Sequence, residues 1–170
     1  KVNSIGVSIP ATGMATLDFG FMGKDLSQTG TSQYFTAPTA QGTSGVFAGV
    51  SGVVVFNGLP VAVITDASIN IDRGIANTTV LGSNSIAESI DGKVMVDGAG
   101  SLYFTDASIK NAFKDETEVS LVFAMSTTSA ANAEFVSISI PRAKLNSADK
   151  SESDAGITMS CDFQALLAIN

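Results

Sequence analysis

Carboxylates are the most abundant ionisable groups in this sequence, with sixteen Asp and Glu residues against nine Lys and Arg. Glu116 and Glu118 are two residues apart, so they share one side of an extended chain and could act as a general acid and base. The sequence contains no histidine, however, so the commonest general base and metal ligand is absent. We therefore interpret the pair as a solvated strand start and predict no enzymatic activity.

Two further patterns have the residue types of a cofactor or metal site. Gly98-Ala99-Gly100 could open a dinucleotide-binding turn, but no third glycine follows at the required spacing, which favours a β-bulge. Asp149, Glu152 and Asp154 could offer oxygen ligands to calcium, but their spacing is not that of a twelve-residue calcium loop. We interpret them as an acidic turn. No catalytic, cofactor-binding or metal-ligating residue is predicted.

The composition indicates a folded domain with a single hydrophobic core. The chain has 170 residues, 45% of them apolar, and a net charge of −7. No apolar run approaches the roughly 20 residues of a membrane-spanning helix, so we expect no membrane partner. The negative charge disfavours stable binding to phosphate backbones but is compatible with DNA that slides past. The single cysteine, Cys161, is predicted to be a buried, unreactive thiol.

One convincing helix is predicted, over about residues 106–114. Asp106 could cap its first turn, and Ile109, Ala112 and Phe113 recur at i, i+3 and i+4, which makes one apolar stripe. A helix this short is marginal in water, so we expect the stripe to pack on a sheet. The pentapeptide TDASI occurs at residues 65–69 and 105–109, but the first copy continues with strand spacing, so no structural repeat is predicted.

Alternating apolar residues predict strands in most of the remaining chain. The clearest are residues 119–125 and 157–165. Residues 1–26 are interpreted as an N-terminal hairpin or a segment joining two domains, and residues 53–170 as the main domain. The fold class is therefore mainly β, an antiparallel sandwich with one short helix packed on its side.

Between them, residues 27–52 form a long segment without charged residues. Loops of this length are usually functional, linking or disordered. Tyr34, Phe35 and Phe47 are predicted to contact a neighbouring subunit, and a mobile linker is the alternative interpretation.

Five sequence runs together resemble the second half of the longer tail tube (major tail) proteins of siphophages. They are VAVITDASINIDRG, GKVMVDGAGSLYFTDASIKNAF, EVSLVFAM, FVSISIPRAKL and GITMSCDFQAL. The resemblance implies a structural virion protein of the phage tail, made in the host cytoplasm, with no cofactor. It also implies a first domain of related fold before Lys1, which agrees with the lack of a start methionine.

The same resemblance implies stacked rings, hexameric or pseudo-hexameric, around a channel for the genome and a tape-measure protein. An acidic lumen would let DNA pass without stable binding. Asp66 and Asp72, on the polar side of a predicted strand, are expected to face that lumen.

Two alternatives remain open from the sequence. One is a non-catalytic β-sandwich binding module of the adhesin or carbohydrate-binding type. The absence of Trp and the presence of only two tyrosines, Tyr34 and Tyr103, count against sugar stacking. The other is a tube subunit of a contractile tail or a type VI secretion system.

Overall fold

The computed structural model describes residues 1–25, 37, 39–40, 42, 45–61, 63–105, 107–153 and 156–167. Within these residues the chain forms twelve strands, one α-helix and one turn of 3-10 helix. The strands are β1 (Val2–Pro10), β2 (Thr16–Phe21), β3 (Gly52–Phe56), β4 (Leu59–Val61), β5 (Ile64–Asp72), β6 (Ala76–Thr78), β7 (Glu88–Ile90), β8 (Met95–Tyr103), β9 (Val119–Ser126), β10 (Phe135–Leu145), β11 (Asp149–Ser153) and β12 (Gly156–Ala165). The helix, α1, spans Ser108–Lys114, and the 3-10 turn spans Gly49–Ser51.

Ten of these strands form two layers connected at a corner in β10. The first layer has the order β2-β1-β5-β8-β12, with β11 paired beside β12, and the second has the order β10-β9-β3-β4. Residues 143–145 of β10 pair with β12, whereas its earlier residues pair with β9. The register shifts between Ile140 and Ala143, and such a bulge bends a strand. All the pairings are antiparallel, so the predicted mainly β fold is confirmed.

The core lies between the two layers. It is built from the apolar residues that alternate with polar residues along each strand. In β9 every second residue is buried, from Val119 to Met125. Side chains of β1 and β5, such as Val7 and Ile69, join the same cluster as Phe123 of β9. Contact between strands this distant in the layer order requires one layer to cover the other, which is the arrangement of a sandwich.

Helix α1 covers one end of the sandwich through a smaller cluster. Ile109 is buried against Leu102, Met159 and Cys161, and Ala112 packs against the main core. Since α1 has only seven residues, docking on this cluster supplies the stability that its length does not.

The third residue of the predicted stripe, Phe113, does not share this burial. Its side chain is 38% exposed and lies beside Lys114 and Lys144 at a surface hollow. The stripe is therefore narrower than predicted, because α1 presents only Ile109 and Ala112 to the sheet. The predicted cap, Asp106, lies outside the described residues.

The buried thiol of Cys161 is expected to make the free energy of unfolding depend on pH in the alkaline range. Burial, with nearby Asp162 and Asp149, raises the pKa of the thiol from 9.0 to about 11. The folded state thus holds this proton after the unfolded state has lost it, so the contribution of Cys161 to stability is complete below about pH 9 and is lost as pH rises toward 11.

We expect urea midpoints to fall more steeply with pH above about 9 in the wild type than in Cys161→Ala. The comparison of slopes removes any constant cost of the substitution, because the two proteins differ only at residue 161. Equal slopes would show that the thiol is solvated in the folded state.

A two-stranded arm, residues 76–90, lies in the connection between β5 and β8. Its strands β6 and β7 pair with each other. Its base is anchored by Asp91, which lies 3.2 Å from Arg73 and 3.3 Å from Lys1. Ile75 is buried there, and its N–H donates to Asn3 Oδ1 at 2.9 Å. The arm is therefore a distinct element with a fixed base.

Among the described residues, no helix has the length and apolar character needed to cross a membrane.

Candidate functional site: an acidic sheet face

The outward side of β5 carries both carboxylates predicted to face a lumen. Asp66, Ser68, Asn70 and Asp72 share one side of the strand, and the buried Ala67 and Ile69 point into the core. Asp66 is exposed and accepts a hydrogen bond of 3.2 Å from Thr65 Oγ1. Asp72 is half-buried, and its Oδ1 accepts the N–H of Gly74 at 2.7 Å. Asp72 thus also shapes the turn into the arm.

Strand pairing extends this outward side across the whole first layer. One row of paired residues crosses five strands, in the order Asp18, Gly6, Asn70, Asp97, Gln164. Since paired residues in neighbouring strands point to the same side, all five side chains belong to one surface. The face therefore contains carboxylates that are far apart in sequence.

Adjacent rows add further carboxylates in the same way. In the row Thr16, Ser8, Ser68, Ala99, Asp162, the carboxylate belongs to β12. In the row Pro10, Asp66, Ser101, Ser160, Asp149, carboxylates belong to β5 and β11. We call this surface the acidic face. It carries six carboxylates: Asp18, Asp66, Asp72, Asp97, Asp149 and Asp162.

The carboxylates are dispersed over the acidic face. None has another carboxylate as its direct partner in the described strand pairings, and most partners are Ser, Gly or Ala. The described residues contain no group of three or more His, Cys, Asp or Glu that could hold a metal ion. Dispersed carboxylates produce a broad negative field and lack the convergence that binds a cation.

Basic residues are excluded from this face in the described strands of the first layer. The β11 residue Lys150 points to the other side, where it lies 3.0 Å from Glu152 and over the ring of Phe104. At the corner, Lys144 of β10 is paired with Gln164, but its Nζ lies 3.6 Å from Glu116. The field of the six carboxylates is therefore not cancelled within the layer.

The glutamates considered for acid–base chemistry are held by different cations. Arg142 donates two hydrogen bonds to Glu118, from Nε to Oε2 at 2.9 Å and from an Nη to Oε1 at 2.8 Å. These hydrogen bonds hold the pKa of Glu118 below its ordinary value. Because Glu116 lies near Lys144 instead, the two carboxylates are not arranged as a catalytic pair.

The other candidate patterns have structural roles. Gly98 lies inside β8 and does not open a helix; a Cβ there would meet the ring of Phe163 at 2.5 Å. Asp149 and Glu152 belong to opposite sides of β11, because an odd number of positions separates them. Asp154 lies outside the described residues.

The predicted subunit contacts are only partly described. Tyr34 and Phe35 lie outside the described residues. Phe47 packs on the core of its own chain, and its carbonyl accepts the N–H of Ala15 at 2.9 Å. Its burial is therefore explained within one subunit, and the structure does not assign it to a boundary.

Sequence reasoning missed four members of the acidic face: Asp18, Asp97, Asp149 and Asp162. A signal was present for two of them, since Leu17-Asp18-Phe19 and Cys161-Asp162-Phe163 each place an aspartate between apolar neighbours. In a strand this pattern puts the carboxylate on the polar side. Whether the separate polar sides form one face depends on strand order.

The described residues thus form a β-sandwich with a broad face of dispersed carboxylates. A family model described as phage tail tube protein matches residues 1–165. The chain belongs to the phage tail tube protein family. No curated protein matches it.

Family membership confirms the predicted resemblance to phage tail tube (major tail) proteins. The chain is a structural subunit of the tail tube, located in the virion tail, and the family implies self-assembly into a tube.

Proposed function

We propose that this subunit forms rings that stack into a tube, with the acidic face lining the channel through which the genome is delivered. The observation that carries this proposal is the exclusion of Lys and Arg from that face across the described strands of the first layer, from β2 to β11. Asp66 and Asp72 are then two of six lumen carboxylates per subunit.

Electrostatics explains how such a lining serves DNA passage. Duplex DNA carries one negative charge per about 1.7 Å of its axis, and binding proteins neutralise it with Lys and Arg. A wall of carboxylates offers no such contact and repels the phosphates within about a Debye length, roughly 8 Å at physiological salt. The small Ser, Gly and Ala side chains between them leave few groups for DNA or a tape-measure protein to bind.

The edges of the first layer are suited to ring closure. In the described part of the chain, β2 pairs only with β1 and β11 only with β12, so each has one unpaired edge. The core-facing side of β2 is not covered either: Leu17, Phe19 and Phe21 are 59%, 51% and 73% exposed. An exposed apolar edge strand is a site of association.

Pairing of β2 in one subunit beside β11 of the next would extend the sheet around the ring. A sheet closed in this way has no exposed edges. The family resemblance supports hexameric or pseudo-hexameric symmetry for the ring.

Negative-stain electron microscopy of the purified full-length gene product tests this proposal. We expect hollow tubes or rings with a central channel. A monodisperse monomer at high concentration would contradict ring formation and would favour the binding-module alternative.

A further inference from the structure

The tip of the arm presents apolar side chains to its surroundings. Leu81 is fully exposed and Val80 is 51% exposed. The strands behind them are held together by hydrogen bonds, from Ser89 Oγ to Asn77 Oδ1 at 2.7 Å and from Thr78 Oγ1 to the carbonyl of Glu88 at 2.9 Å. Leu81 lies in the connection between these two strands, residues 79–87.

An apolar groove lies between α1 and the β3–β4 hairpin. It has a volume of about 480 Å³ and is lined by Phe56, Leu59, Pro60, Val63, Ile109 and Ala112, among other residues. Leu59, at its rim, is 72% exposed. The volume is within the range of ordinary binding pockets, roughly 300–1,000 Å³.

The tip and the groove belong to opposite ends of the same pair of strands. The arm leaves β5 after Asp72 and returns to β8 before Met95, and these two residues are paired. The groove includes Leu102, which pairs with Ile64 at the other end. Nine residues of β5 at about 3.3 Å per residue separate the two ends by roughly 26 Å.

Charge favours contact between these two surfaces in different copies. Residues 79–85 contain no charged residue, and none of the described residues lining the groove is charged. Copies with a net charge of −7 repel one another. A contact between the uncharged tip and the described, uncharged residues of the groove buries no unpaired charge from either of these sets.

We propose that Leu81 and Val80 of one subunit insert into the groove of a second copy in the adjacent ring. The inference rests on the proposed function and adds its axial contact. Because a tip at one end meets a groove at the other, the contact is heterologous and does not close on itself. Repetition along the strand direction therefore stacks rings without limit, whereas the edges of β2 and β11 act within a ring.

The test uses charge substitutions at both partners in the full-length protein. Leu81→Asp and Leu59→Lys each place a charge opposite an apolar surface. We expect each to leave rings intact and to weaken stacking by roughly tenfold or more, so that micrographs show single rings or short stacks. The double variant places these two opposite charges across the contact from each other, and we expect tubes to return. Both positions are exposed, so unchanged melting of unassembled protein checks folding.

Leu167→Asp is the matched control, because this leucine is 87% exposed outside the tip and the groove. We expect it to form wild-type tubes. Normal tubes from Leu81→Asp, no recovery in the double variant, or equal loss of tubes in the control would each overturn the inference. Failure of the wild type to form any ring would instead overturn the proposed function.

Discussion

Phe163→Ala is expected to lower the free energy of unfolding by about 3–5 kcal/mol, a large part of the roughly 5–15 kcal/mol typical of a domain. Phe163 is 4% exposed, and its ring stacks on that of Phe123 with centroids 6.1 Å apart. Its ring also covers Gly98, which has no side chain that could fill the space left by truncation. Urea unfolding of unassembled protein measures the effect.

Phe135→Ala is the matched control for this prediction. It makes the same chemical change at a ring that is 70% exposed on β10, so we expect a change within about 0.5 kcal/mol. Similar losses in both variants would contradict the assignment of Phe163 to the core. The m-values need to agree with that of the wild type for the midpoints to be compared as stabilities.

Replacing Asp18, Asp66 and Asp97 together by lysine is expected to convert the channel into one that retains DNA. Three changes of two charges each take the net charge of the subunit from −7 to −1 and place lysines on the acidic face. Tubes assembled with duplex DNA and then treated with nuclease should protect roughly tenfold more DNA than wild-type tubes, with retention falling steeply as salt rises. Micrographs confirm that the tubes form.

The control places the same three lysines at Glu88, Asp115 and Glu134. These residues are exposed and lie outside the acidic face, and the net charge also becomes −1. We expect any DNA bound by these tubes to remain sensitive to nuclease, because it would lie outside the channel. Equal protection in both triple variants would show that the acidic face does not line the lumen.

The alternation of residue types was sufficient to predict the mainly β fold. In β9, and in β12 from Met159 to Phe163, the apolar residues predicted by period two are the buried ones, because one side of each strand faces the core. The helix was also predictable, although Phe113 lies at its exposed margin. These features depend on neighbours within a few positions of one another.

The arm and the role of Phe47 could not be predicted in this way. β6 and β7 have three residues each, too few to show a period, and their pairing is visible only in the structure. Phe47 lies within the long uncharged segment, and its burial depends on contact with a distant part of the chain near Ala15. Such contacts between distant residues leave no local pattern in the sequence.

The sequence by itself determined the negative charge, the lack of histidine chemistry and the polar or apolar side of each main strand. Only the tertiary structure decided that Asp18, Asp66, Asp97 and Asp162 lie on one face, and that the arm and the groove are at opposite ends. The physical reason is that a residue's side depends on its immediate neighbours, whereas strand order depends on pairing between segments tens of residues apart, such as β1 with β5 and β8 with β12.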